Sequence, residues 1–284
     1  PDIPTSDNII EELDKEAKNP ENHRYPSSYG LMLFKEAAAS YYKERFNVVL
    51  DPEKEIVTLW GSKEGISNIA YAFINPGDIA LVPDPGYLVY KIGTSFAGGE
   101  NIIMPLLEEN NFLPDLSSID SNIAKKAKII HINYPNNPTS AVCGLDFFQD
   151  VRDFAYKNKV LVCHDNAYCD VYFDENCRPK SFLNAENAKD VGIEFNSLSK
   201  TFNMTGWRIG FAAGNSSAIS SLGKYKTNVD SGVFNAIQYA GALALKNYKK
   251  LSSYNINIYK NRRDLIYKKF DKIGLKYYKS DASI

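Results

Sequence analysis

Apolar positions along the chain alternate between two periods. From Gly30 to Phe46 they recur at helical spacing (Leu31, Phe34, Ala38, Tyr41, Tyr42), which predicts an amphipathic helix. Glu55–Trp60 is a short apolar run ending at Gly61 and predicts a buried strand; Ser67–Ile74 returns to helical spacing. Asn75-Pro76-Gly77-Asp78 is a turn. The alternation continues with strands at Ile79–Val82, Ala127–Ile132, Val160–Cys163 and Val191–Phe195, and a helix at Leu145–Asn158. Ala236–Leu245 and Ser252–Ile273 predict two further helices, the second long and basic, and Leu275–Tyr278 reads as the start of another strand. Strands alternating with helices of this length predict an α/β fold: three αβα layers around a mostly parallel central sheet.

In such a sheet, ligands bind beyond the carboxyl ends of the strands. Gly61, Asn137, Asp165 and Lys200 all fall at or just after predicted strand ends. Composition narrows the function classes. The 284 residues carry a net charge of −1, with no dense basic run, so a nucleic-acid partner is not expected. The longest apolar stretches have strand length, so no membrane span is expected, and no signal-peptide pattern opens the chain. Cys143, Cys163, Cys169 and Cys177 show no C-x-x-C spacing; with only His23, His131 and His164 available, no metal site is expected. Reduced thiols in a cytoplasmic protein are the expectation for these cysteines.

The chemistry centres on Lys200, in the run Ser197-Leu198-Ser199-Lys200 with Arg208 eight positions later. A lone lysine is usually a solvated surface group. Here serines and an arginine suited to a dianion stand beside an amine that could condense with an aldehyde, and pyridoxal phosphate carries both groups. Asp165, after a buried strand, would need a cation such as a protonated pyridine nitrogen, although such an aspartate taken alone is more often a loop or helix-cap residue. Tyr168 and Asn137 offer a phenol and an amide for a ring oxygen. The turn Gly61-Ser62-Lys63 before a helix suits an anion, and it lacks the spacing of a Walker or dinucleotide loop. Tyr87, after Asp84-Pro85-Gly86, could lie on a ring face.

Taken together, Ser197-x-Ser199-Lys200, Gly206-x-Arg208-x-Gly210, Asn137-Pro138-Thr139, Asp165-x-x-Tyr168, Pro83-x-Pro85-x-Tyr87 and Tyr25 five before Gly30 resemble the class I/II, fold-type I pyridoxal-phosphate aminotransferases, in the aspartate and LL-diaminopimelate branch. The resemblance implies that Lys200 forms the Schiff base with pyridoxal 5′-phosphate, Asp165 pairs with the ring nitrogen, Asn137 and Tyr168 bond the ring oxygen, and Tyr87 stacks on the ring. Ser62, Lys63, Ser197, Ser199 and Arg208 would hold the phosphate, Ser62 and Lys63 through their backbone. Tyr25 would reach the phosphate of a neighbouring subunit, implying a homodimer with shared sites.

The implied organisation is an N-terminal segment 1–29 belonging to a small domain or dimer arm, a large cofactor-binding domain 30–251, and an interdomain helix at 252–284 opening a smaller α+β domain. The chain begins at Pro1-Asp2 without an initiator Met and stops in mid-pattern at Ala282-Ser283-Ile284, so the part of the family that binds the substrate α-carboxylate is expected to lie beyond it. One local departure is Ser140, where the family has glycine. The implied activity is ping-pong transfer of an amino group between an L-amino acid and a 2-oxo acid. Alternatives are a C–S β-lyase of the same fold and an aminotransferase-like ligand-sensing regulatory domain.

Overall fold

The computed structural model describes residues 2–283. Strands β1 (Ile56–Leu59), β2 (Ile79–Asp84), β3 (Glu100–Pro105), β4 (Ala127–Asn133), β5 (Leu161–Asp165), β6 (Gly192–Ser197) and β7 (Gly210–Gly214) form one sheet in the order β1-β7-β6-β5-β4-β2-β3. The pairs β2–β3, β2–β4, β4–β5 and β5–β6 are parallel. Strand β7 runs antiparallel to both β6 and β1. The predicted mostly parallel sheet is therefore present.

Ten helices accompany the strands among the described residues: α1 (Asp7–Ala17), α2 (Met32–Phe46), α3 (Ser62–Phe73), α4 (Val89–Phe96), α5 (Ser121–Lys126), α6 (Leu145–Asn158), α7 (Leu198–Thr201), α8 (Ser216–Thr227), α9 (Asn235–Lys246) and α10 (Tyr248–Ile273). The two-residue strand period sorts side chains to opposite faces of the sheet. Ile56, Leu81, Ile130, Val162 and Phe211 join a core with Phe34 of α2, Phe148 of α6 and Ala240 of α9. Their neighbours Val57, Val82, Ile129, Cys163 and Ala212 join a second core with Ile69 of α3, Tyr90 of α4 and Leu222 of α8. Two cores on two faces make the three αβα layers.

Several features depart from the expected elements. Strand β7, Gly-Phe-Ala-Ala-Gly, has little strand propensity, and close approach explains its glycines. A Cβ on Gly210 would stand 2.4 Å from the Asn196 carbonyl oxygen, and one on Gly214 2.4 Å from that of Gly192. Helix α3 begins at Ser62, five residues before the expected start, because Gly61 at φ +78° turns the chain into it directly after β1. Helix α10 starts at Tyr248, not Ser252.

Leu275–Tyr278, expected as a strand, is irregular. Gly274 ends α10 in a left-handed conformation. The chain then folds back so that Tyr277 stacks on Tyr267 at 4.6 Å and donates its hydroxyl to Asp271 at 2.9 Å. A local turn has taken up the residues that would need a sheet edge to become a strand. Among the described residues, no helix is long and apolar enough to cross a membrane.

Candidate active site

The strands that support the site all reach it at the same edge of the sheet. Tyr87 follows β2, Asn137 follows β4, Asp165 closes β5, and Ser197 closes β6 with Lys200 in the next turn. Strand β7 is antiparallel, so the residue that reaches this edge, Arg208, precedes it instead. Strand β1, antiparallel to β7 in turn, delivers Ser62 from its carboxyl end. These groups surround a cavity of about 360 Å³ lined by Ser62, Lys63, Tyr87, Asn137, Asp165, Tyr168, Ser197, Ser199, Lys200 and Arg208. Ala167 and Thr205 complete the wall. Tyr25 alone of the expected residues stands apart, 91% exposed on the surface.

One end of the cavity is built for an anion. Helix α3 starts at Ser62, after Gly61, with no side-chain cap; the Glu64 N–H bonds the Gly61 carbonyl at 3.2 Å, which leaves the Ser62 and Lys63 N–H groups for a ligand. Arg208 lies against this turn and donates Nη1 to the Thr205 carbonyl at 2.9 Å and Nη2 to that of Trp60 at 3.4 Å. A Cβ on Gly61 would meet Arg208 Nη2 at 2.6 Å, so only glycine lets the guanidinium lie here. Ser197 caps α7 by accepting from the Ser199 N–H at 3.2 Å.

The other end holds a strained carboxylate. Asp165 is buried; its Oδ2 accepts from the Tyr90 hydroxyl at 2.8 Å, and its Oδ1 has no hydrogen-bond partner among the described residues. Burial pushes the carboxyl up to about 6, opposed first by the Tyr90 bond and then by His164, the Ala167 N–H and Lys200. A cation or donor at Oδ1 would relieve this cost. Asn133 ties the floor together: its Nδ2 donates to the Asp165 carbonyl at 2.7 Å and its Oδ1 accepts from the Asn137 N–H at 2.8 Å.

Between the two ends lies Lys200, half-buried, with Nζ 5.7 Å from the Tyr168 ring centroid. Burial and, next, the Arg208 charge lower its pKa, with Asp165 opposing. Burial and the Asp165 charge push the Tyr168 phenol up to about 12. The cavity can thus receive a dianion at one end and a protonated nitrogen at the other, with an amine of lowered basicity between them.

Sequence reading missed Tyr90 and Asn133. Tyr90 lies one helical turn beyond Tyr87, a spacing that could have marked it. Asn133 is hidden at the end of an apolar strand. At the Ser140 departure, Ser140 takes φ +62° and donates its N–H to the Asn136 carbonyl at 2.9 Å.

Comparison with known proteins agrees with this geometry. The family described as aminotransferase class I and II matches residues 1–284. The LL-diaminopimelate aminotransferase of Moorella thermoacetica is 51% identical over 283 residues, covering 100% of this chain and 72% of the relative. That of Aquifex aeolicus is 53% identical over 281 residues, covering 99% and 72%. Among solved structures, substrate-bound BacF from Bacillus subtilis superposes with a TM-score of 0.97 at 40% identity, covering 100% of this chain and 72% of that one. An aminotransferase from Staphylococcus aureus gives 0.95 at 38% identity, covering 100% and 75%. The chain belongs to the class I and II aminotransferases and is an enzyme of amino-group transfer.

Proposed function

We propose that the cavity holds pyridoxal 5′-phosphate and that the enzyme transfers amino groups between an L-amino acid and a 2-oxo acid by a ping-pong sequence. The observation that carries this reading is the buried Oδ1 of Asp165, unpartnered in a cavity whose far end is an anion cup. A pyridinium nitrogen would supply the missing cation there, and a phosphate would occupy the N–H groups at Gly61–Lys63 with Arg208. The residues fit the cofactor at both ends.

When bound, the cofactor supplies an electrophilic carbonyl and an electron-withdrawing ring. The protein's part follows from its own side chains. Asp165 keeps the ring nitrogen protonated by offering it a charge partner. Asn137 and Tyr168 hold the ring oxygen, and Tyr87 covers a ring face. Ser62, Lys63, Ser197, Ser199 and Arg208 anchor the phosphate. Lys200 would hold the cofactor through its aldehyde, and its Nζ, when neutral and free, would be the group placed to take and return a proton at the substrate's α-carbon. Its lowered basicity favours the neutral amine this task needs.

The named relatives act on LL-diaminopimelate, and we assign this chain the same acyclic diamino diacid as amino donor. All the residues lining the cavity fall within 30–251, which supports that span as the cofactor-binding domain, with 1–29 as an arm and 252–284 leading to a smaller domain. The exposed Tyr25 supports a homodimer with shared sites. So does the apolar stripe of Leu88, Ile92 and Phe96, spaced four apart and 67%, 45% and 72% exposed. Four free cysteines support a cytoplasmic location.

The test is a panel of amino acids, LL-diaminopimelate included, with 2-oxoglutarate or pyruvate as acceptor. Acceptor-dependent turnover with LL-diaminopimelate, together with loss of the visible cofactor band in Lys200→Ala, is expected. Pyruvate and ammonia released from cystathionine without an acceptor would overturn transamination.

A further inference from the structure

Behind the anion cup lies a lysine that the chemistry above does not use. Lys226 of α8 is completely buried. Its Nζ donates to Asp230 Oδ1 at 2.7 Å and Oδ2 at 2.8 Å, and to Glu64 Oε1 at 3.2 Å. Glu64 is the third residue of α3, whose N-terminus is the cup. Its Oε2 accepts from the Trp60 N–H at 2.7 Å, and its Oε1 also accepts from Asn68 Nδ2 at 3.0 Å. Burial pushes the Glu64 carboxyl up, with the Lys226 charge and the Trp60 N–H opposing; every one of these partners is a donor, the arrangement that suits an ionised carboxylate.

The Trp60 peptide is therefore gripped from both sides, its N–H by Glu64 and its carbonyl by Arg208 at 3.4 Å. That grip sets the approach to Gly61, the residue at φ +78° on which the cup turns. It also has an electrostatic drawback. A carboxylate in the first helical turn occupies the positive end of the helix dipole and repels any second anion brought there. A buried ammonium beside it, shared with Asp230, offsets part of that repulsion and keeps the grip on Trp60.

We propose that Lys226 is a positioning residue for the phosphate cup, offsetting the charge of Glu64 so that its carboxylate can hold the Trp60 backbone without expelling the phosphate. This rests on reading Gly61–Lys63 and Arg208 as a phosphate site. The opposite end of the cluster bears on the Tyr25 segment. Asp230 Oδ1 accepts from the Gly232 N–H at 2.9 Å, and the Asp230 carbonyl accepts from Ser28 Oγ at 3.4 Å. Lys226 thus joins the cup to the stretch that follows Tyr25.

The experiment measures binding of inorganic phosphate by calorimetry to the full chain freed of cofactor, with thermal melting to confirm that each variant is folded. Lys226→Met is expected to weaken phosphate about tenfold. Glu64→Gln/Lys226→Met, which has lost still more of the ion cluster, is expected to recover most of that affinity; a purely structural role for the cluster predicts the reverse. Unchanged phosphate binding in Lys226→Met, or a double variant no better than the single, overturns the proposal. If Lys226→Met does not fold, Glu64→Gln alone decides: tighter phosphate binding supports the proposal, and unchanged or weaker binding overturns it. A parent protein that does not bind phosphate, or Arg208→Gln binding as well as the parent, refutes the cup itself, a result distinct from failure at Lys226.

Discussion

Tyr90 donates its hydroxyl to Oδ2 of Asp165 at 2.8 Å while Oδ1 of the same carboxylate stays buried and unpartnered. Hydrogen bonds from neutral groups do not compensate a carboxylate taken out of water, so the carboxyl is held up to about 6. Tyr90 is itself fixed by stacking on His131 at 4.9 Å. Burial pushes the His131 imidazole down to about 3, which keeps that ring neutral. The carboxylate is thus oriented by a rigid aromatic pair and left short of a cation, a pre-arranged partner for a protonated ring nitrogen.

Replacing Asp165 by Asn is expected to stabilise the cofactor-free protein at alkaline pH. The folded pKa, about 6, lies above the carboxyl's ordinary value of 3.8, so the folded state holds the proton more tightly than the unfolded chain. Stability is greatest below the unfolded value, falls as pH rises through that interval, and above it carries a cost of about 3 kcal/mol. Asn keeps an acceptor for Tyr90 and avoids the charge. Thermal melts at pH 4 and pH 8 check this: the gain of Asp165→Asn over the parent should be large at pH 8 and small at pH 4. An equal gain at both would refute it.

The pH midpoint at which Lys200 reacts with an amine-acylating reagent, in cofactor-free protein, is expected to rise in Arg208→Gln. Arg208 is the second cause of the lowered Lys200 pKa after burial. Removing its positive charge favours the ammonium, so a higher pH is needed to expose the nucleophilic amine. Reactivity at a fixed pH near 8 should fall roughly two- to fivefold. A midpoint that stays in place or moves down would show that Arg208 does not act on Lys200 through charge.

The parts of the fold that were legible are those where one local rule dominates. Strands β4 and β5 are buried at nearly every position, so their apolar residues, Ile129, Ile130, Ile132 and Leu161–Cys163, stand out in the sequence. Helix α6 was bounded correctly because Gly144 opens it and Lys159, left-handed at φ +58°, closes it. Strand β3 was missed because, at the sheet edge, most of its positions are half or fully exposed. Strand β7 was missed because its small residues answer to the closeness of β6, a tertiary demand with no local signature. The site divides the same way. Lys200, Asp165 and Arg208 sit in motifs whose spacing is set by chemistry, whereas Tyr90 and Asn133 act through contacts across 75 and 32 positions of chain.

Ser140→Gly is expected to raise stability without altering catalysis. Ser140 is held at φ +62°, a conformation costly for a residue with a Cβ. Glycine removes that cost but gains freedom when unfolded, for a net stabilisation of about 0.5–1 kcal/mol. The neighbouring contacts do not depend on the serine side chain: Asn137 is fixed by its own N–H to Asn133, and Thr139 Oγ1 donates to Asn136 at 2.7 Å. Denaturant unfolding should show the shift while kcat and KM hold. A changed KM would mean that the turn at Ser140 reaches Asn137 after all.

Mixing two inactive variants is expected to restore activity if Tyr25 serves the neighbouring subunit. Tyr25 is 91% exposed and lies outside the cavity of its own chain, so its phenol can bear on a phosphate only across an interface. In a dimer of Tyr25→Ala with Lys200→Ala, one site combines the intact Lys200 of the first chain with the intact Tyr25 of the second, and the other site carries both lesions. Random reassortment of equal amounts makes half the dimers hybrid, so about a quarter of the parent's sites should be whole. Both variants are mixed, dissociated and reassociated, and assayed against each variant treated alone. Recovery toward a quarter of parent activity places Tyr25 in the partner's site. No recovery, with hybrid dimers demonstrated by mass spectrometry, confines each site to one chain and removes the role assigned to Tyr25.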